Sequence, residues 1–114
     1  MRIVVADNDA DALELVATDL RLEGHDVVGL AADGDEAMRL LAESTPDVLV
    51  VDYRMPPGPN GLSVARTVRA AQPSVRVILY SNYRDQRLVA EVERIGAQFL
   101  PKGNLRALRR AVTG

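Results

Sequence analysis

Four places in the chain put a chemistry-bearing side chain directly behind a hydrophobic segment. Asp7-Asn8-Asp9 follows Ile3-Val4-Val5-Ala6, Asp52 follows Val48 to Val51, Ser81 follows Val75 to Tyr80, and Lys102 stands just beyond Ala97 to Leu100. Carboxylates joined by an amide or backbone oxygen hold a hard Mg²⁺ ion that keeps part of its water shell. A carboxylate can also attack phosphorus and carry the group as an acyl phosphate. A hydroxyl and an ammonium can then neutralise the equatorial oxygens. Lys102 is the only lysine beside 13 arginines. A compact charge on a flexible stem is what a site keeps where a planar guanidinium cannot substitute. Taken singly, each residue has a plainer role: helix caps for Asp9 and Ser81, a turn for Asn8, a surface charge for Lys102. Their joint placement at strand ends is harder to explain that way.

The elements that must position them alternate. Val48 to Val51 shows no polar interruption, the pattern of a strand covered on both faces. Pro46 closes what precedes it, and Pro56-Pro57-Gly58-Pro59 prevents its continuation. A first helix is predicted over Asp11 to Glu23, with Leu13, Val16, Ala17 and Leu20 inward and Gly24 as its stop. Val27 to Ala31 reads as the second strand. Asp33 and Glu36 form a capping box for a helix that turns Ala37, Met38 and Leu41 inward. Asn60 or Gly61 opens the third helix, with Val64, Val68 and Ala71 on one face and a stop near Pro73. A fourth helix is predicted from Asp85 to Ile95, using Leu88, Val92 and Ile95 and ending at Gly96. Asn104 caps a last helix that turns Leu105, Leu108 and Val112 inward. Such βα alternation, with connections too long for hairpins, requires a parallel sheet with helices on both faces. The carboxyl ends of its strands share one rim, where open α/β sheets place their chemistry.

Composition narrows the remaining classes. The 114 residues suffice for one domain with a core of its own. Cysteine is absent, which excludes disulfides and thiolate metal sites. No apolar run has membrane-spanning length, and Met1-Arg2 leads straight into Ile3 without a signal peptide, so a cytoplasmic protein with no membrane partner is expected. A net charge of −2 argues against direct nucleic-acid binding. Arg106, Arg109 and Arg110 are read as cations placed near a helix C-terminus.

The ordered set of residues resembles the receiver domain of two-component response regulators over essentially the whole chain, read as a single domain over residues 1–114. The resemblance implies a flavodoxin-like, doubly wound (βα)5 sandwich with strand order 2-1-3-4-5. It also implies a non-enzymatic switch, limited to self-phosphorylation from a phosphodonor and autodephosphorylation. Asp52, within the D-x-x-M-P-like Asp52-Tyr53-Arg54-Met55-Pro56, matches the phosphoacceptor. Ser81 matches the switch hydroxyl, Phe99 the switch aromatic and Lys102 the lysine that contacts phosphate. Mg²⁺ would be held by Asp7, Asn8, Asp52 and the backbone carbonyl of Arg54. Arg54, Asn82 and Tyr83 fall where the family tunes phosphate lifetime. The implied partners are a sensor histidine kinase or phosphotransfer protein, an effector domain or partner protein, and a second copy docking through the fourth helix, fifth strand and fifth helix. Leu88, Val89 and an Arg87/Glu91 pair are candidates for that face.

Departures from the family pattern set further expectations. Asn8 stands where an acid is usual, which should weaken Mg²⁺, with Asp9 available to compensate through water. The Pro57-Gly58-Pro59 loop is one residue long for the family, and Gly103 replaces the proline that many relatives carry after the lysine. Bulky Arg54 and Tyr83 should hinder an attacking water and slow phosphate loss. A receiver that acts as a phosphorylation-independent interaction module is the second reading, supported by Asn8 and the altered loop. A third, an aspartyl-phosphate phosphatase of the haloacid dehalogenase type, rests on the D-x-D of Asp7-Asn8-Asp9 and lacks the later acidic pair. The chain ends at Thr113-Gly114 without an effector segment, compatible with a stand-alone regulator or a piece of a longer protein.

Overall fold

The computed structural model describes residues 1–114 as five strands and five helices in strict alternation. The strands are β1 (Arg2–Ala6), β2 (Asp26–Ala31), β3 (Val48–Val51), β4 (Arg76–Ser81) and β5 (Gln98–Pro101). Between and after them run α1 (Ala10–Leu22), α2 (Gly34–Ser44), α3 (Gly61–Ala71), α4 (Gln86–Arg94) and α5 (Leu105–Thr113). All pairings are parallel, and the strand order is β2-β1-β3-β4-β5. This is the flavodoxin-like order that the resemblance implied.

The uninterrupted apolar strand is central. Every residue of β3 is buried, Leu49 and Val51 feeding one core cluster and Val48 and Val50 the other. Alternation along each strand divides the sheet into two covered faces. Helices α1 and α5 close the face of Ile3, Val5, Val48, Val50, Ile78 and Tyr80, while α2 and α3 close that of Val4, Ala6, Leu49, Val51 and Val77. Helix α4 covers the β4–β5 end through Leu88 and Val92 on Leu79.

Helix starts follow local side-chain chemistry. Asp9, Asp33, Asn60, Asp85 and Asn104 each cap a helix by accepting a backbone N–H of its first turn. The capping box of α2 is shifted: Asp33 accepts from Glu36 N–H, but the Glu36 carboxylate reaches the N–H of Ala32 rather than that of Asp33. Gly24 and Gly96 take φ of +88° and +84° just beyond α1 and α4, where a side chain would be strained.

Three packing expectations need correction. Ala71 is exposed, and Ala65 takes its place in the core, because α3 meets the sheet from Gly61 to Val68 and its last turn overhangs the core. Arg109 is not simply a cation at a helix end: it crosses to α1, 2.8 Å from Asp19 and 3.8 Å from Glu23. Glu91 pairs with Arg66 of α3 at 2.7 Å and with Arg94 of its own helix, not with Arg87.

Candidate functional site

The strand ends converge as expected. β1 ends at Ala6, which is in register with Val51 of β3, so Asp7 and Asp52 are the next residues of two adjacent strands. Each is fixed at its backbone by the neighbouring strand: Asp52 N–H donates to the Ala6 carbonyl and Asp7 N–H to that of Ala31, both at 2.9 Å. Lys102 arrives from beyond β5, and its Nζ lies 2.6 Å from Asp7 Oδ2 and 3.2 Å from Asp52 Oδ2. The other carboxylate oxygens are held locally, Asp7 Oδ1 by Asp9 N–H and Asp52 Oδ1 by Tyr53 N–H.

Burial gives these charges weight. Asp7 is only 4% exposed. Burial pushes its carboxyl above the usual range; Lys102 and the Asp9 N–H oppose this, and the Asp52 charge adds to it. For Lys102 burial disfavours the cation, but the bond to Asp7 and the charge of Asp52 outweigh it, and its pKa is raised. A lysine between two carboxylates therefore remains an ammonium.

Asn8 is exposed, and its Nδ2 donates to the Ala32 carbonyl (3.3 Å) and the Pro56 carbonyl (3.2 Å). An aspartate could accept bonds there but donate none, so the amide clasps the loops after β2 and β3. Oδ1 takes no part in that clasp. Asp9 caps α1, its Oδ1 accepting from Asp11 and Ala12 N–H. Ser81, in contrast, caps nothing. It is 2% exposed at the end of β4, its Oγ accepts from Tyr83 N–H at 3.1 Å, and Asp85 does the capping of α4. Phe99 is half-buried beside Leu79, Leu88 and Val92.

The outer rim carries an aromatic stack. Tyr53 and Tyr83 lie 5.0 Å apart at 14°, the Arg54 guanidinium sits 4.6 Å above the Tyr83 ring, and Tyr83 OH donates to Asp85 at 2.8 Å. That bond and the Asp85 charge raise the Tyr83 pKa. Asn82, between Ser81 and Tyr83, is exposed and takes no part in the stack.

Gly61 was legible only as a helix start, yet the site depends on it. A Cβ there would stand 2.0 Å from the Asp52 carbonyl oxygen, and its N–H donates to the Tyr53 carbonyl at 2.7 Å. Only glycine lets α3 begin this close to the Asp52 backbone. Gly34 likewise faces the backbone of Pro59, which seats the proline-rich loop on the start of α2.

Residues 3–113 match the family model described as the response regulator receiver domain. The chain is a response regulator receiver domain. It is 35% identical over 99 residues to the "Oxygen regulatory protein NreC" of Staphylococcus haemolyticus, covering 86% of this chain and 46% of that protein. It is 39% identical over 108 residues to the "Probable transcriptional regulatory protein NarL" of Mycobacterium tuberculosis, covering 93% of this chain and 50% of the other. The receiver domain thus spans about half the length of these curated relatives. Among solved structures, the signal receiver domain of NarL from M. tuberculosis superposes with a TM-score of 0.90 at 36% identity, covering 98% of this chain and 92% of that one.

Receiver domains work in two-component signalling: phosphorylation is their general function, and they are generally not enzymes. This membership displaces the phosphatase reading, and Asp9, its second acid, is occupied in capping α1. Response regulators partner with histidine kinases and carry effector domains. Receiver domains generally bind Mg²⁺ for phosphorylation. The donors present here, two carboxylates with an amide oxygen and a carbonyl, are all hard oxygens that fit such an ion. No helix is long and apolar enough to cross a membrane.

Proposed function

We propose that Asp52 is the phosphoacceptor of a working aspartyl-phosphate switch. The observation that carries this reading is the buried bridge of Lys102 Nζ to Asp7 and Asp52. An Asp52 carboxylate oxygen attacks the phosphorus of a phosphohistidine on a sensor kinase or phosphotransfer protein. The phosphorus–nitrogen bond breaks, and the imidazole nitrogen leaves with its electron pair. Asp7, Asn8 Oδ1, Asp52 and the Arg54 carbonyl would hold Mg²⁺. When bound, the ion offsets negative charge on the transferred group; with one anionic ligand fewer than usual, it binds weakly.

The remaining residues then act in sequence. Lys102 moves from bridging two carboxylates to pairing with a phosphoryl oxygen. Ser81 turns its hydroxyl to donate to a phosphoryl oxygen, exchanging by that movement the bond it accepts from Tyr83 N–H, and Phe99 follows inward beneath α4. Because Tyr83 N–H bonds Ser81 Oγ directly, that exchange loosens the start of α4. The surface of α4, β5 and α5 is then repacked for a second copy or for an effector domain of the kind that longer relatives carry. The domain itself contacts no nucleic acid, and its setting is cytoplasmic. Arg54 and Tyr83 restrict water at the outer rim and prolong the phosphorylated state, with Asn82 beside them.

The test is an amide NMR spectrum in saturating Mg²⁺, before and after adding beryllofluoride. Shifts at Asp52, Ser81, Phe99 and Lys102 that vanish in Asp52→Ala are expected. An unchanged spectrum would favour a phosphorylation-independent interaction module, a role in which Asn8 serves solely as the loop clasp.

A further inference from the structure

Lys102 reaches the carboxylates from a turn that lacks the stiffening of a following proline. Gly103 has a φ of +103°, a conformation closed to proline and strained for other side chains. A turn of this kind is mobile unless its backbone is anchored from outside. Two successive N–H groups supply the anchors, and both are received by β4. Lys102 N–H donates to the Ser81 carbonyl at 3.1 Å, extending the sheet by one rung. Gly103 N–H donates to the Tyr80 hydroxyl oxygen at 3.2 Å.

The second anchor is unusual because a side chain provides it. Tyr80 precedes Ser81, and strand alternation turns it to the α1–α5 face. Its ring is 5% exposed, packed in the cluster of Val16, Ile78 and Leu108 beside Leu105. A ring so held keeps its hydroxyl at a fixed height under the turn. No other acceptor takes the Gly103 N–H.

We propose that Tyr80 is a positioning residue for Lys102: by receiving the Gly103 N–H, its hydroxyl fixes the turn from which the ammonium reaches the phosphoacceptor. The lysine stem has four flexible carbons, so its Nζ is only as well placed as its backbone. With the turn anchored on both sides of Lys102 Cα, the Nζ lies 2.6 Å and 3.2 Å from its two carboxylates. The hydroxyl thus does what a proline does by stiffening the chain. This inference rests on the reading of Asp52 and Lys102 as a phosphoryl site.

Tyr80→Phe removes one oxygen and keeps the buried ring. Two quantities are read: beryllofluoride affinity at saturating Mg²⁺, and the ¹³Cε and ¹Hε signals of Lys102 in the Mg²⁺-free protein. Loss of one such bond should weaken beryllofluoride binding roughly 3- to 10-fold and move the Lys102 signals toward those of a free lysine. Val112→Ala, which loosens the far end of α5, should lower the unfolding midpoint yet leave both quantities at wild-type values. If wild type binds beryllofluoride and Tyr80→Phe matches it in affinity and Lys102 signals, the positioning role is wrong. If wild type itself does not respond, the phosphoacceptor reading falls, and the Lys102 signals alone decide whether Tyr80 places the lysine.

Discussion

Helices α4 and α5 flank the same two strands but are attached in different ways. Helix α5 sets fully buried Leu108 and Val112 into a ten-residue cluster that includes α1, β1, β3 and β4. Its backbone is also tied down by Arg76, which donates to the carbonyls of Ala111 and Val112, and its Arg109 side chain pairs with Asp19 of α1. Helix α4 has Leu88 and Val92 on Leu79, a cluster of three buried residues. Beyond the part-buried Arg69 bond to the carbonyl of its C-cap Ile95, its other ties lie on the surface: the Arg66–Glu91 pair, the Tyr83–Asp85 bond and the Tyr53–Tyr83 stack. Exposed ties add little to stability, whereas burial of aliphatic side chains adds much. The less anchored helix is the one that starts next to Ser81. A domain built this way can reposition α4 at low cost while the Lys102 turn stays anchored to β4.

The contrast can be broken most strongly in the core. Leu108→Ala should destabilise the whole domain by about 3 to 4 kcal/mol, whereas Leu88→Ala should cost nearer about 2. Urea unfolding gives both values; equal losses would mean that α4 is no less anchored than α5. Removing the Asp85 cap comes next. Asp85→Ala should raise amide exchange in α4 while α5 stays protected. A matching rise in α5 would show that the two helices open together.

Kinetics sharpen the comparison at the rim. Arg54→Ala and Tyr83→Ala should each speed autodephosphorylation several-fold, by less than about tenfold. Unchanged rates in both variants would remove the stack from any role in phosphate lifetime. The smallest effect concerns pH. The bonds from Arg94 and Arg66 lower the Glu91 carboxyl from its usual 4.5 to about 2. A folded-state pKa below the unfolded one gives stabilisation that is complete above about 4.5 and lost as pH falls toward 2. Amide exchange of α4 should therefore quicken across that window relative to α5, and Glu91→Gln should reduce the trend, leaving the share of the Asp85 cap, whose carboxyl the Leu88 N–H also holds low. The change is small because the pair is solvent-accessible.

Much of the site was legible because its residues sit where strands end. Asp7, Asp52 and Lys102 each follow a hydrophobic segment, and a parallel sheet sends all such ends to one rim. Ser81 was legible by position, whereas its bond from Tyr83 N–H in place of a helix cap was not, because the two differ only in the conformation of the following loop. The aromatic stack was hidden because Tyr53 and Tyr83 belong to different loops. Gly61 and Tyr80 were hidden for a related reason, since each acts through a close approach to a backbone elsewhere in the chain.

What the sequence determined by itself is local: the period of each hydrophobic face, the capping residues, the proline and glycine stops, and hence a parallel sheet with a polar rim. These depend on neighbours within a few residues. The tertiary structure decided which rim residues touch. Lys102 reaches Asp52 across 50 residues of chain, and the Asn8 amide bridges carbonyls 24 and 48 residues away. Such contacts depend on strand order and on how each turn is anchored, which are properties of the packed sheet and are encoded by no single segment.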